Sequence, residues 1–176
     1  EVYVTKLLQK EFPDWNVSSP HHEVYEHAFF ARKIIPDIVM QKGNDIMVFD
    51  TKYKRMKFRN RWEGPDVDRA DFFQIHTYLS YYLSAQDAQE HRYNVLAAGL
   101  LYPLSGEYEE DKKEKYQSNG ALGNNKTLFV IDGIELYELE KEVGSASNSI
   151  EALVQKEQCF IERVKKMIAQ GIERHA

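Results

Sequence analysis

A single cysteine, Cys159, stands among the 176 residues, so no internal disulfide can form, and a reducing, cytoplasmic setting fits. It lies in a helical, apolar-periodic stretch beside Phe160 and Ile161 and reads as a buried structural thiol rather than a nucleophile. No run of 18 apolar residues exists to cross a membrane, and no secretory signal is visible. Internal repeats are missing too. Positive charge is in deficit: 23 Lys and Arg face 28 Asp and Glu, for a formal net charge of −5. A dedicated nucleic-acid binder is usually basic overall, so this balance weighs against one and shifts attention to the local distribution of charge. The chain opens on Glu1 rather than Met, and the expectation is a single domain over residues 1–176 that forms the C-terminal part of a longer subunit.

What is present is core-forming material. Hydrophobic residues make up 43% of the chain, and 11 Tyr and 9 Phe supply ample surface to bury, so disorder is excluded and one domain of this length can hold a sizeable core. Residues 1–12 predict a helix with Val4, Leu7, Leu8 and Phe12 on one face, ended by Pro13. Residues 23–31 are β-prone. Two apolar runs follow, 34–40 and 45–53, with a hairpin signal at Gly43-Asn44 between them. Residues 57–70 read as a loop. Asp71 reads as the N-cap of a helix from Phe72 to about Ala85, and 93–102 as a buried strand. Residues 105–126 form a solvated loop, 127–138 a second hairpin around Asp132-Gly133, and 149–173 a long amphipathic helix. The order suggests an α/β domain, a central mixed sheet flanked by helices.

The chemistry sits on the first hairpin. A tight turn at Gly43-Asn44 sets Asp37 directly opposite Asp50, with both side chains on one face of the sheet. Like charges in that position destabilise a sheet. A divalent cation is the natural compensation, since Mg²⁺ takes one or two carboxylates and fills its remaining positions with waters and phosphate oxygens. Alternation along the strand puts Ile46, Val48, Asp50 and Lys52 on the same face. Charges on an interior strand are rare unless paired or liganding. A metal there polarises a phosphate and acidifies a bound water, and Lys52 can orient that water and offset developing charge. The plainer alternative is a simple salt bridge from Lys52 to one carboxylate.

Other candidates gather round this pair. Glu1 is in helical phase with Val4 and Leu8, so it is either a further ligand or an acid that favours the helix dipole. Gln74 and Tyr78 share a helix face, as contacts to the lysine, a water or a phosphate, or as an ordinary half-buried pair. His76 is out of phase with them, and His21-His22 reads as a polar turn. Lys52, Lys54, Arg55, Lys57, Arg59 and Arg61 place six basic residues in ten positions, with Tyr53 and Phe58 interleaved. That stretch is a phosphate grip or else a solvated loop.

The succession Glu1, Pro36-Asp37, Asp50-Thr51-Lys52 and Gln74–Tyr78 resembles the PD-(D/E)xK nuclease superfamily, and its Q-x-x-x-Y tail looks like the RecB-like branch. From about Glu1 to Tyr82 it is most similar to the nuclease half of McrC-type subunits of the McrBC modified-cytosine restriction system. The resemblance implies a restriction-endonuclease-like core and Mg²⁺-dependent cleavage of double-stranded DNA, with Mn²⁺ able to substitute. It implies Asp37, Asp50 and the Thr51 carbonyl as metal ligands, Glu1 as an acidic contributor, Lys52 as the catalytic lysine, and Gln74 and Tyr78 as supporting residues. It further implies an McrB-like AAA+ GTPase as partner. Two other readings stand beside it. One is a RecB- or Cas4-like exonuclease, against which the lone Cys159 speaks, since such relatives often hold an iron–sulfur cluster on several cysteines. The other is a non-catalytic DNA-binding module on the same fold.

Overall fold

A computed structural model describes residues 1–25, 32–54, 57–58, 65–85, 92–104, 116–136 and 146–176, with the side chains of 57–58, 65–66 and 146–149 outside that description. The chain begins with helix α1 (Val2–Glu11), whose Leu7 and Leu8 are buried as the apolar phase predicts. The edge strand β1 (Asn16–Ser18), which the sequence did not announce, follows it. Short strands β2 (His22–Glu23) and β3 (Lys33–Ile34) pair with each other, so His22 lies in a strand rather than a turn. Of the β-prone stretch 23–31, Val24 and Tyr25 lie past the end of β2 and outside any strand, and residues 26–31 lie outside the described residues.

Strands β4 (Ile38–Lys42) and β5 (Asp45–Thr51) form the foreseen hairpin, with Ile38 opposite Phe49 and Lys42 opposite Asp45. Gly43 turns it at φ 59°, a conformation that costs glycine little. The apolar run 34–40 does not continue as one strand. Pro36, which has no N–H to give a ladder, separates β3 from β4 and leaves Asp37 just ahead of β4.

The expected loop at 57–70 contains a small ladder, β6 (Lys57–Phe58) on β7 (Pro65–Asp66). Helix α2 (Arg69–Ser84) starts three residues earlier than the sequence suggests. Asp68 is its N-cap, accepting from Ala70 N at 2.8 Å, and Asp71 sits inside the first turn. Helix α2 leads to β8 (Asn94–Leu104), which lies parallel to β5. After β9 (Gln117–Ser118) comes β10 (Leu128–Glu135), and here the sequence expectation fails. Asp132-Gly133 makes no hairpin; β10 is one strand, parallel to β8 throughout. Gly133 serves close approach instead. At φ 153°, a Cβ on it would lie 1.7 Å from the Tyr102 carbonyl oxygen. Asp132 is held by Arg163 of the last helix, α3 (Ala146–His175), through Nε at 3.0 Å to each carboxylate oxygen.

The sheet order is β1-β4-β5-β8-β10-β9, mixed as expected. One face, with Met47, Phe49, Leu96 and Leu101, packs on Leu7 and Leu8 of α1 and Phe160 and Val164 of α3. The other, with Ile46, Val48, Ala98 and Leu100, packs on Ile75, Tyr78 and Leu79 of α2. Cys159 is exposed, not buried: the packed stripe of α3 runs through its neighbours Phe160 and Ile161. Ile150, near the start of that helix, is likewise exposed.

Candidate active site

The hairpin and α2 together build the site. Strand β5 is interior, with β4 on one side and β8 on the other, so Asp50 is 1% exposed. Its face is the one covered by α2, as alternation requires, because Ile46 and Val48 join the α2 cluster while Met47 and Phe49 join the opposite one. Asp37, one residue ahead of β4, is half-buried beside the end of β5. One of its oxygens, Oδ2, accepts both from Thr51 N and from Thr51 Oγ1, each at 2.7 Å. The hairpin register therefore brings Asp37, Asp50 and Thr51 together as the spacing predicts.

Lys52 lies just past β5, where its amide donates to the Leu101 carbonyl at 2.8 Å. Its ammonium forms an ion pair with Asp50 Oδ2, reaches Asp71 Oδ1 at 3.2 Å, and donates to Gln74 Oε1 at 3.0 Å. Gln74 in turn donates from Nε2 to the Tyr78 hydroxyl at 2.8 Å. The i, i+4 pair on α2 is thus joined to the lysine rather than standing apart, and Tyr78 is buried.

Electrostatic strain centres on Asp50. Burial raises its pKa, the Lys52 ammonium pulls it back, and the neighbouring Asp37 and Asp71 push it up again, for a net rise. The Lys52 ammonium is the partner of Asp50 Oδ2, an ion pair between groups largely out of water. A carboxylate oxygen has lone pairs beyond the one such a partner takes, so the buried acid can still accept a cation. For Lys52, burial works to lower the pKa, but contact with Asp50 and Asp71 outweighs it and the net shift is upward. Burial likewise raises the pKa of Tyr78.

Glu1 is exposed rather than turned inward. It stands at the N-cap of α1 without a side-chain capping bond, and lines one groove with Tyr3, Thr51, Lys52 and Tyr53. Among the described residues, no three or more His, Cys, Asp or Glu side chains converge as a metal cage, so Glu1 is not gathered with Asp37 and Asp50 here. His76 bonds the Phe72 carbonyl through Nδ1 and stays away from the lysine. His22 contacts the Tyr82 hydroxyl.

Of the basic stretch, Lys54 is described. Its ammonium is half-exposed, paired with Asp71 Oδ2 at 2.7 Å and Asp68 Oδ2 at 3.3 Å. Arg55, Arg59 and Arg61 lie outside the described residues, as does the side chain of Lys57.

The residue that sequence reasoning missed is Asp71. As a cap it would face water; instead it is 8% exposed and touches Lys52, Lys54 and the Tyr102 hydroxyl, the last at 3.4 Å. A signal was available. Asp71, Ile75, Tyr78 and Tyr82 recur at four, three and four residues, which puts an acid on the inward stripe of α2.

A family model described as McrBC 5-methylcytosine restriction system component matches residues 1–103. Among solved structures, the fold matches a chain of a refined half-complex from the tetradecameric assembly of Thermococcus gammatolerans McrB AAA+ hexamers with bound McrC. The TM-score is 0.53 at 14% identity, over 94% of this chain and 31% of that one, which shows a shared fold. The chain spans about a third of the length of the solved chain it matches. No curated protein matches it.

Proposed function

We propose, since the chain belongs to the McrBC 5-methylcytosine restriction system component family, that it is the DNA-cleaving domain of such a system, a divalent-metal-dependent endodeoxyribonuclease. The observation that carries this is the buried Asp50 carboxylate, paired with the Lys52 ammonium through Oδ2, with a second carboxylate, Asp37, close enough to raise its pKa. That donor set fits Mg²⁺, with Mn²⁺ able to replace it. Asp37, Asp50 and the Thr51 carbonyl would hold the ion, and water and phosphate oxygens would complete its shell. Bound there, the ion supplies a water of lowered pKa and a polarised phosphate.

The chain's own residues do the rest. Lys52 orients the attacking water and offsets charge developing on the phosphate. Gln74 fixes that ammonium, and Tyr78 fixes Gln74. Glu1, at the mouth of the adjoining groove, is placed to contribute as a more distant acid. Lys54, Arg55, Lys57, Arg59 and Arg61 contact phosphates of double-stranded DNA, giving an acidic molecule a local basic strip. The partner is an McrB-like AAA+ GTPase, and the setting is the cytoplasm. No helix among the described residues is long and apolar enough to cross a membrane.

Incubating the purified chain with supercoiled plasmid and Mn²⁺, with and without EDTA, tests this. Metal-dependent conversion of the closed circle is the expected result. Digestion of end-labelled linear DNA while the circle stays intact would point to an exonuclease. A chain that binds no Mn²⁺ at all would be a non-catalytic module.

A further inference from the structure

The Lys52 ammonium is shared between two carboxylates, Asp50 and Asp71, and only Asp50 belongs to the proposed metal-ligand pair. Asp50 lies on β5 beside Asp37. Asp71 lies across from it on α2, with its side chain 11% exposed and its Oδ2 already engaged by Lys54 and by the Tyr102 hydroxyl. An acid taken this far out of water is held there by cations and hydrogen bonds, not by chance exposure. If Asp50 gives its charge to a divalent cation, Lys52 loses its nearest anion and is repelled by the ion. Gln74 is neutral, so it can accept a hydrogen bond from the ammonium but brings no opposing charge to offset the repulsion.

We propose that Asp71 is the positioning residue for Lys52: it is the second anion that keeps the ammonium beside the reacting phosphate once Asp50 is engaged by metal. This rests on the nuclease reading above. Three features make Asp71 suited to it. It is carried on a different element from the metal carboxylates, so the ion does not displace it. It sits one turn before Ile75, whose complete burial anchors that part of α2 against the sheet. Its second oxygen is fixed by two further donors, so the carboxylate cannot swing away.

The test uses the whole chain and two readouts. In the metal-free protein, reductive methylation with formaldehyde reports how firmly each lysine amine is held, residue by residue, by mass spectrometry. With Asp50→Asn as the background, which leaves Asp71 as the carboxylate beside Lys52, Asp71→Asn should speed modification of Lys52 several-fold and leave Lys10 and Lys165 unchanged. With Mn²⁺ and plasmid, Asp71→Asn should lower the single-turnover rate by about 10- to 100-fold, the range for groups that orient an active residue without touching substrate. DNA affinity should hold, and Asp71→Glu should restore most of the rate. Asp68→Asn removes a carboxylate from the same helix end without touching Lys52, and should do neither.

Unchanged Lys52 modification when Asp71→Asn is added to Asp50→Asn overturns the proposal, as does a loss of rate in Asp71→Asn that tracks a fall in melting temperature and is not rescued by Glu. A parent chain that never cuts, but whose Lys52 is released when Asp71→Asn is added to Asp50→Asn, defeats the nuclease reading and leaves the clamp standing.

Discussion

Ionising Asp50 is harder than ionising an exposed aspartate, because burial raises its pKa above the ordinary 3.8. The folded protein holds that proton more tightly than the unfolded chain does. The stabilising contribution is therefore complete below 3.8 and is lost as pH rises from there through the raised value. A cation binds the ionised form and relieves the cost. Mg²⁺ should thus raise the melting temperature more at pH 8 than at pH 4. Thermal melts at both pH values check this, and an equal Mg²⁺ shift in Asp50→Asn would sink it. For catalysis, Asp50→Asn or Lys52→Ala should lower Mg²⁺-dependent nicking by about 100- to 1,000-fold with the fold intact, on the scale of removing one charge-stabilising group. Plasmid nicking alongside circular dichroism is the measurement. These residues were legible in the sequence because strand alternation and a two-residue turn are rigid rules: place Gly43-Asn44 and the faces of Asp37, Asp50 and Lys52 follow. Asp71 was harder to read, because an acid before an apolar helix also satisfies the pattern of a cap; its spacing with Ile75, Tyr78 and Tyr82 counts against a cap only if the helix is taken to start earlier, at Arg69.

Among the described residues, helix α3 is fastened to β10 by the buried ion pair Arg163–Asp132 and by the half-buried pair Lys156–Glu135. Arg163 is 7% exposed and Asp132 2%, and the guanidinium also donates to the Gly133 carbonyl at 2.8 Å. Removing one member takes a close counter-charge from a buried ion, so Arg163→Ala or Asp132→Ala should destabilise the fold by about 3–5 kcal/mol, as read from urea melts. Replacing both with apolar residues of similar size should cost far less, and a double variant as unstable as either single one would refute that account. The same pair explains why 127–138 was misread. Asp-Gly between apolar runs is a strong hairpin signal when the aspartate faces water, but here it faces an arginine 31 residues away. Local rules cannot register a partner so distant in sequence. Likewise, β1 is too short for periodicity to reveal and exists because β4 offers it an edge.

At the scale of the molecule, a formal net charge of −5 means that the proposed nuclease would have to grip DNA locally. Neutralising Lys54, Arg55, Lys57, Arg59 and Arg61 together should weaken DNA binding uniformly across sequences. It should also flatten the salt dependence by about one logarithmic unit of slope for each phosphate left without its cation. Fluorescence anisotropy over a salt series would show it, and an unchanged slope would place the grip elsewhere. The family and the mixed-sheet architecture were readable because motif order follows chain order. The parallel β5-β8-β10 triplet was not, since parallel pairing joins segments far apart and leaves no local trace. That triplet governs how the site comes into being during synthesis. Asp37 and Asp50 meet within a hairpin, a structure that forms in roughly 1–10 μs. Asp71, Gln74 and Tyr78 reach Lys52 only when the crossover through α2 is closed by β8, roughly 40 residues further along the ribosome's output. A polypeptide that ended at the hairpin would own the acidic pair without the cage for its lysine, so the centre depends on a pairing between segments far apart in sequence as well as on a local turn.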